Sequence, residues 1–567
     1  MQKVRTLTLE AYVLNNYNYL ERLVDSHGIP YFNVFWTKPA EAAHDWPDFG
    51  DVMSRQYQAA IMGRVMTGVR VKNEDIWYKN IMGYLDEKEG LLIRPETNYS
   101  KAVADAGDAS LTLYALVTSY ALEQNPILKE KIFRMVEGLR KRVEPENEDK
   151  SFSHNGFLIK SLMAAERYAG CDLALHLAGK IVNNVFGEDH VFTPDNTFRH
   201  GGHMHGNLRT LLGAADYALR VKDPILYSRV NSIYQYVRSV TTSFGFLPEQ
   251  IGRKGDVVLC ETCALMDYIG LAVTLANHGH PEYWGDVERM TRNQLIESQA
   301  HDMEWLESDD ARDDTEQFTW RDIGDRVEGA YAGWSSPTHF LAAEETLNAH
   351  WGGNELWDKI RLFQNCCGGS GTHAFFIVWK NAARFYQDML WVNLHFDKKL
   401  PQAEIRCFQP YEGKTEISIT QPCRQVAIRI PDFIDQGQFQ ISVNHLSIAP
   451  KISGNYLFVN NLNTGDQIQF EYPLKLWEEI VAIGNPGWAQ YRYQVLWKGD
   501  TVIRMTPLGE EKTTGYSDFE QKPVRVYYGE DGPGRLYQRE SYLIQLAVEL
   551  SPIQQDEGKI DMWWFRD

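Results

Sequence analysis

The spacing of apolar residues changes once along this 567-residue chain, and that change limits the folds it can adopt. From about residue 10 to 390, apolar residues recur at three and four positions, as a helix buried on one face requires. Near residue 391 the spacing becomes two, which is typical of strands with one buried face. We therefore expect a long helical region followed by an antiparallel β-sandwich of roughly 150 residues or more.

The helical pattern is clearest in stretches that breaks rich in Gly, Pro and Asp separate. These stretches are Leu111–Leu122, Phe157–Tyr168, Asn207–Arg220, Ile225–Val240, Cys263–Asn277, Trp284–Gln299 and Thr372–Met389. About a dozen helices in series, several of them almost wholly apolar, indicate a closed toroid of helix pairs. By analogy with such barrels, we expect the functional site at one mouth, on loops and helix ends.

The strand pattern begins after the last of these helices. Its members are Glu404–Phe408, Thr415–Thr420, Gln425–Ile430, Gln438–Val443 and Val524–Tyr528. The length of the chain favours two or three domains. We predict a barrel over residues 1–390 and a sandwich over 391–567, with the boundary between Met389 and Leu400.

Composition excludes some classes of partner. The formal charge of −19 disfavours nucleic acid and anionic membranes as main partners. The 16 Trp and 29 Tyr residues would suit a small carbohydrate or glycan end, whose rings stack on aromatic faces, although core and inter-domain packing is the preferred explanation for any single one of them. Met1–Thr6 lacks an apolar leader, and no run of eighteen apolar residues occurs, so we expect a cytoplasmic protein, or a periplasmic one if an export signal was removed. A homodimer is left open.

Four of the seven cysteines lie in two short clusters, Cys260–Cys263 and the pair Cys366-Cys367. Thiolates and carboxylates are zinc ligands, and four suffice for a tetrahedral site. Each cluster supplies half a site, so a fold that joins them builds either a structural zinc site or a metal-activated thiolate. An odd number of clustered cysteines fits metal or thiol chemistry better than a disulfide framework.

Two further patterns surround these clusters. The segment His200–His205 offers His203 as a hydrogen-bond partner for substrate and His205 as a capping or core residue, with a separate metal site as the alternative. The segment His44–Asp51, with Arg55, would grip sugar hydroxyls at the mouth or form a solvated loop. Gly368–Gly371 lacks the Lys of a phosphate loop, and we interpret it as close backbone packing around the metal.

Several motifs, in order along the chain, resemble those of glycoside hydrolase family 127, the β-L-arabinofuranosidases. The most specific are Glu261-Thr262-Cys263-Ala264 and the adjacent pair Cys366-Cys367. Weaker matches extend the resemblance over residues from about 150 to 530; they are Gly202-His203 with Leu212–Asp216, Asp286–Arg289 with Asn293, Leu390–Leu394, Ile428–Pro431 and Asn463–Phe470.

The resemblance implies an (α/α)6 barrel followed by a β-sandwich, and a zinc ion held by Glu261, Cys263, Cys366 and Cys367. It also implies that Cys366 is the nucleophile of a retaining glycosidase. A neutral thiol, with a pKa of about 8.5, is a poor nucleophile, and zinc removes its proton. Two alternatives stay open: a closed structural zinc site, and a ligand set in which Cys260 replaces Glu261. A strained disulfide between Cys366 and Cys367 is disfavoured, and Cys171, Cys407 and Cys423 are expected to be plain buried or half-buried residues.

The chain departs from the family's pattern at sugar-contacting positions. Gly156-Phe157 replaces a Gly-His pair, which leaves His154 as the nearby imidazole. Glu249 is the nearest carboxylate to the family's acid/base segment, and we predict that burial raises its pKa toward that of a general acid; a solvated carboxylate is the alternative. Candidate substrate-binding residues are His203, Glu288, His154, Asp48 and Trp334. For Glu288 the alternative is a surface ion pair with Arg292.

These observations predict a zinc-dependent retaining exo-glycosidase, similar to a β-L-arabinofuranosidase, with Cys366 as nucleophile and Glu249 as acid/base. One alternative is a non-hydrolytic sugar enzyme, an epimerase or lyase, on the same toroid. Another is a glycan-binding protein with a structural zinc.

Overall fold

The computed structural model describes residues 8–144, 150–188, 191–199, 203–249, 251, 259–301, 303–340, 359, 361–435, 437–483, 489–512 and 535–537. Within these ranges the helices are α1 (Leu9–Arg22), α2 (Asp51–Thr67), α3 (Glu74–Tyr84), α4 (Ala106–Glu123), α5 (Pro126–Val143), α6 (Phe157–Ala169), α7 (Asp172–Asn183), α8 (Met204–Val221), α9 (Pro224–Val240), α10 (Thr262–Asn277), α11 (Trp284–Met290), α12 (Ile323–Val327) and α13 (Cys366–Ala382). A 3-10 turn covers Trp46–Asp48, and π-turns follow α7 and α11.

Six of the described helices close a ring in the order α2, α4, α6, α8, α10 and α13, with α13 packed back on α2. An outer layer covers them: α1 packs on α2 and α13, and α3, α5, α7, α9 and α11 each pack on the preceding inner helix. Inner helices such as α4 and α10 are buried on nearly all sides, which explains their almost continuous apolar sequences. Because an outer helix returns the chain after each inner one, the inner helices run parallel and their N-termini meet at one mouth.

The described strands form four sheets. They are β1 (Asn33–Phe35), β2 (Glu41–Ala43), β3 (Phe318–Thr319), β4 (Arg361–Gln364), β5 (Ala383–Tyr386), β6 (Met389–Val392), β7 (Lys398–Lys399), β8 (Ala403–Cys407), β9 (Lys414–Ile419), β10 (Cys423–Arg429), β11 (Gln440–Val443), β12 (Leu446–Ser447), β13 (Lys451–Ser453), β14 (Tyr456–Leu462), β15 (Gln467–Glu471), β16 (Leu476–Ile483), β17 (Ala489–Lys498) and β18 (Thr501–Lys512).

Two of these sheets make the sandwich, in the orders β13-β14-β10-β6-β5 and β12-β11-β15-β9-β8-β7. The sheets are antiparallel except that β10 pairs with β6 in parallel. In β8 the side chains of Ala403, Ile405 and Cys407 enter the core while Glu404 and Arg406 face solvent, as an alternating sequence requires. A helical toroid followed by a β-sandwich, predicted from the two periodicities, is confirmed.

Two small sheets were not predicted. The sheet β3-β2-β1-β4 combines short segments from distant parts of the chain, and β16-β17-β18 is a meander whose turn packs near α11. The helix predicted over Thr372–Met389 ends at Ala382, because β5 and β6 form a hairpin around Gln387-Asp388, both of which have positive φ. The first strand of the sandwich thus begins before the predicted interval of 389–400, and the domain division stays a prediction.

The helix predicted over Trp284–Gln299 gives way to a π-turn at Thr291–Leu295. The strand predicted at Val524–Tyr528 lies outside the described residues. Among the helices that are described, none is long and apolar enough to cross a lipid bilayer.

Candidate metal centre and active site

The two cysteine clusters meet at the N-terminal ends of two neighbouring inner helices. Glu261 is the N-cap of α10, with Cys263 in its first turn, and Cys366 and Cys367 begin α13. Antiparallel pairing of β4 with β1 delivers the chain to Cys366, and the backbone N–H of Asn365 donates to the carbonyl of Phe32 at 2.7 Å. Helix N-termini carry partial positive charge, which favours anionic side chains at this mouth.

The distances within the cluster suit one tetrahedral ion. The Sγ atoms of Cys263 and Cys367 are 3.3 Å apart, and those of Cys366 and Cys367 are 4.0 Å apart. Oε1 of Glu261 lies 3.7 Å from Sγ of Cys366 and 4.0 Å from Sγ of Cys367. With bonds of about 2.3 Å to sulfur and about 2.1 Å to oxygen, the edges of a zinc tetrahedron measure about 3.6–3.8 Å. The four residues therefore fit the zinc ion that the family resemblance implies.

Burial gives this donor set a reason to bind a cation. Glu261 is 2% exposed, Cys263 and Cys367 are 0% exposed, and Cys366 is 7% exposed. Burial raises the pKa of Cys263 and of Cys367 well above the ordinary value of a thiol. Thiols so buried stay protonated unless a positive charge stabilises the thiolate, and a divalent cation supplies that charge.

Two other arrangements of the cysteines, a ligand set that includes Cys260 and a disulfide between Cys366 and Cys367, are not supported. Cys260 lies outside the group of ligand atoms, because its backbone pairs with Ser335 at 2.9 and 3.1 Å and directs the chain past the cluster. All seven cysteines are free and buried, so Cys366 and Cys367 do not form a disulfide. Cys171, Cys407 and Cys423 are plain buried residues, as predicted.

The glycines of the first turn of α13 allow the close packing expected of them. A Cβ at Gly368 would lie 2.2 Å from the ring of Tyr19, and one at Gly369 would lie 2.6 Å from the carbonyl oxygen of Arg55. Side chains at these positions would therefore push α13 away from α1 and α2, which pack against it.

A buried polar chain reaches the cluster from behind. Nη1 of Arg55 lies 3.8 Å from Sγ of Cys263 and 3.2 Å from Oγ of Ser370, which is itself 3.2 Å from that sulfur. Nη2 donates to Nε2 of His205 at 2.9 Å, so Nδ1 of His205 carries the proton that Oδ2 of Asp267 accepts at 2.7 Å. His205 is thus committed to this chain and does not form a metal site with His203. The sequence placed Arg55 in the early polar group but did not reveal its contact with a cysteine 208 positions away.

Two carboxylates at the cluster have opposite tendencies to ionise. Nε2 of His203 lies 2.9 Å from Oε2 of Glu261 and 3.1 Å from Oε1 of Glu249. Burial, and then the charge of Glu261, raise the pKa of Glu249 to about 8. Burial opposes ionisation of Glu261 as well, but His203 outweighs it and holds the pKa of Glu261 well below its ordinary value. Two neighbouring carboxyl groups whose pKa values are shifted in opposite directions suit separate roles, one as an acid and the other as an anion.

Backbone contacts hold Glu249 in this position. Its N–H donates to the carbonyl of Leu259 at 2.7 Å, and its carbonyl accepts from the N–H of Met204 at 3.0 Å. The structure therefore brings Glu249, His203 and the predicted ligands together. Glu249 is 1% exposed, so it is buried and the alternative of a solvated carboxylate does not hold.

Glu288 lies elsewhere, which corrects its predicted contact with sugar. The carboxylate is 0% exposed, Oε1 accepts from Arg292 at 2.9 Å, and Oε2 pairs with Arg429 of the sandwich. The N–H of His395 also donates to Oε2 at 3.3 Å. The predicted pair with Arg292 at i+4 exists, but in the interface between the barrel and the sandwich rather than on the surface.

Asp48 also turns away from solvent. It is 0% exposed, and its Oδ2 lies 2.6 Å from Nδ1 of His44 and accepts the N–H of Asp45 at 3.1 Å. Asp48 therefore caps the 3-10 turn at Trp46–Asp48. This role explains the residue better than the predicted contact with sugar hydroxyls.

The predicted substrate-binding roles of Trp334 and His154 stay predictions. Trp334 is 4% exposed and lies under the guanidinium of Arg361 at 5.3 Å, next to Gly333, whose carbonyl is 4.0 Å from Sγ of Cys367. His154 is half-buried in the turn before α6.

Comparisons with known proteins agree with this architecture. No protein-family profile matches the chain, and no curated protein matches its sequence. Among solved structures, a GH127 β-L-arabinofuranosidase from Geobacillus stearothermophilus T6 superposes with a TM-score of 0.56 at 12% identity, covering 87% of this chain and 80% of that one. A second GH127 β-arabinofuranosidase gives a TM-score of 0.56 at 15% identity, over 88% and 81% of the two chains. A further glycoside hydrolase gives 0.56 at 13% identity, with 85% of each chain covered. The chain therefore has the fold of the GH127 β-L-arabinofuranosidases.

Proposed function

We propose that this protein is a distant relative of the GH127 enzymes and a zinc-dependent retaining exo-glycosidase that removes an arabinofuranose-like sugar from the end of a glycan. The observation that carries the proposal is the meeting of Glu261, Cys263, Cys366 and Cys367, whose ligand atoms all lie within 4.8 Å of one another. The shared fold supports the same substrate class.

These four residues would hold the ion, and zinc bound there would keep the thiols ionised. We assign the nucleophile to Cys366 because it is the cysteine of the cluster with measurable exposure, 7% against 0% for Cys263 and Cys367. The other two thiols have no exposed surface from which to attack a substrate.

The reaction proceeds in two displacements. Sγ of Cys366 attacks the anomeric carbon, the bond to the leaving oxygen breaks, and Glu249 donates its proton to that oxygen. The Glu249 carboxylate then takes a proton from water, the water oxygen attacks the anomeric carbon, and the carbon–sulfur bond breaks to restore the thiolate. Two inversions return the original configuration of the sugar.

His203 holds the two carboxylates in register. Its imidazole bridges Glu249 and Glu261 at 3.1 and 2.9 Å. Because 41% of its side chain is exposed, it faces the mouth through which a sugar would enter.

A glycan-binding protein with a structural zinc is the second candidate, because a set of four protein ligands is typical of structural sites. It predicts saturable glycan binding without turnover. Hydrolysis adds one molecule of water to the products. An epimerase or a lyase adds none, so mass spectrometry of the products separates either of them from a hydrolase.

The test is release of the aryl group from a panel of aryl furanosides and pyranosides, with Cys366→Ser as the variant. We expect the variant to lose turnover by about a thousandfold or more while keeping its fold. Cys171→Ser is the matched control, since Cys171 is the N-cap of α7 and serine is a favourable residue there. Turnover by Cys366→Ser at the rate of the unmodified protein would refute the nucleophile.

A further inference from the structure

We propose that His203, Glu249 and Glu261 form a second divalent-cation site, weaker than the thiolate site and inhibitory when filled. The inhibitory part rests on the proposed role of Glu249 as acid/base; the site itself does not. Its ligands are one imidazole nitrogen and two carboxylate oxygens, which suit zinc and similar borderline cations.

The three ligand atoms already lie close to the positions that such an ion needs. Nε2 of His203 is 2.9 Å from one carboxylate and 3.1 Å from the other, and all three ligand atoms lie within 4.8 Å of one another. Bonds of about 2.0–2.2 Å give tetrahedral edges of about 3.3–3.6 Å, so the imidazole nitrogen would move away from each carboxylate oxygen by well under about 1 Å. Three protein ligands leave a fourth position open.

Glu249 supplies an independent reason to expect a ligand. It is 1% exposed, yet within the described residues neither of its oxygens accepts a well-directed hydrogen bond. Its ion-pair partner there is the ring nitrogen of His203, at 3.1 Å. A buried carboxylate so poorly satisfied is costly, and a coordinated cation would satisfy both of its oxygens.

Glu261 connects the two sites. Its Oε1 faces Sγ of Cys366 at 3.7 Å, while its Oε2 faces His203 at 2.9 Å. One carboxylate therefore directs one oxygen toward each site, as a bridging ligand does. If the first site held a divalent cation on three thiolates and one carboxylate, it would still carry a net negative charge, and this charge would attract a second cation.

The second site is open to solvent on the side of His203, whose side chain is 41% exposed. A cation there would occupy the oxygens of Glu249, which could then neither donate a proton nor accept one. The acid/base would be lost although the nucleophile stays in place, so excess zinc would inhibit an enzyme that needs zinc.

Equilibrium dialysis of the full chain against buffered free zinc, with bound metal measured by mass spectrometry, tests the site without reference to activity. We expect two equivalents, the second at higher free zinc, and only the first in His203→Gln. His176→Gln is the matched control, because His176 is 57% exposed on an outer helix and should not alter the second equivalent. A single equivalent in the unmodified protein, or a second equivalent retained by His203→Gln, would overturn the proposal.

If His203→Gln does not fold, it will also lose the first equivalent of zinc. Cobalt titration of the unmodified protein then tests the second site. In the unmodified protein the first equivalent of Co²⁺ should produce thiolate-to-metal charge transfer, and the second should add only weaker d–d absorption. Charge transfer that grows with the second equivalent would place that ion on sulfur and overturn the site.

Two bound ions without hydrolysis of any aryl glycoside would refute the proposed function and leave the second site standing. Hydrolysis that is unaffected by the second ion would refute the proposed inhibition.

Discussion

The guanidinium of Arg55 touches a sulfur, an imidazole and a carboxylate in the interior of the barrel. It pairs with Asp51 one turn earlier on α2, donates to His205 and lies 3.8 Å from Sγ of Cys263. Residues that orient metal ligands from behind commonly contribute tenfold to a hundredfold in metal affinity. Arg55 would be such a positioning residue, since it contacts Cys263, which we propose as a ligand.

We expect Arg55→Met to weaken zinc binding by about tenfold to a hundredfold, measured by competition with a chromogenic chelator. Arg55→Lys should recover part of the loss, because it restores the charge without the planar fork. Arg64→Met is the control: Arg64 lies on the same helix but pairs with Glu74 and Glu123. Equal zinc affinity in Arg55→Met and the unmodified protein would contradict this role.

Sequence reasoning picked out the four residues that meet in the cluster but not the residues that support them. Cys263 and Cys366 belong to short, chemically unusual motifs, so they stand out locally. Arg55 and Asp267 are common residue types, and only the three-dimensional fold joins them to the cluster. The predicted contact of Glu288 with sugar was wrong. A charged residue in an outer helix carries no sign in the sequence that a strand 141 positions later will bury it.

At the scale of elements, Glu288 joins α11 to the sandwich through β10. Its carboxylate neutralises two guanidiniums, those of Arg292 and Arg429, each 1% exposed. Removing one member of a buried ion network is far costlier than removing a surface pair, because the remaining charges stay buried without a partner.

Glu288→Ala should therefore lower the free energy of unfolding by about 3–5 kcal/mol in urea denaturation. Zinc affinity should stay unchanged, since the residue does not touch the cluster. Glu282→Ala, at a position with 54% side-chain exposure near the start of α11, should change stability by less than about 0.5 kcal/mol. If Glu288→Ala were equally mild, the carboxylate would not hold this interface together.

The elements themselves were predictable where one period runs for several turns. Helices such as α9 match the predicted bounds to a residue because their apolar stripe is long and Pro224 and Asp223 mark the start. Strands β1 and β4 were missed because each is only three or four residues long and the two pair with each other across more than 300 positions. Short strands of this kind are stabilised by tertiary pairing and leave no periodic trace in the sequence.

At the scale of the whole molecule, the metal would close the ring. α13 is the last inner helix and contacts both α10 and α2, so an ion that links Glu261 and Cys263 to Cys366 and Cys367 ties the end of the barrel to an earlier helix. Anything that binds the folded state alone raises its stability by mass action. Removal of the ion should loosen this closure first.

We expect dialysis against a strong chelator to lower the melting temperature and readdition of zinc to restore it, as followed by circular dichroism. Cys367→Ser should melt at the same temperature with and without zinc, because the fully buried ligand is lost. A melting temperature of the unmodified protein that does not respond to zinc would mean that the ion does not stabilise the barrel.

Asp500 lies in the turn between β17 and β18 and links the meander β16-β17-β18 to the interface between the barrel and the sandwich. It should make the stability of the protein depend on pH. It is 2% exposed, and burial, then the charge of Glu288, raise its pKa to about 7. An unfolded chain ionises this carboxyl near about pH 4. Between those values the folded state binds the proton more tightly, so the contribution of Asp500 to stability is fully present below about pH 4 and declines as the pH rises toward 7.

Asp500→Asn keeps the shape of the protonated side chain and should remove this dependence. Three pKa units correspond to at most about 4 kcal/mol, so the variant should gain stability relative to the unmodified protein as the pH rises from 4 to 7 and little at pH 4. Urea denaturation at each pH measures the difference, and Asp313→Asn, at a position with a fully exposed side chain, should follow the unmodified protein. Because Asn293 holds both the carbonyl of Asp500 and the N–H of Val502, at 3.0 and 2.8 Å, the turn has no freedom to carry an ionised Asp500 out to water. Parallel stability curves for Asp500→Asn and the unmodified protein would show instead that the turn opens when the carboxyl ionises.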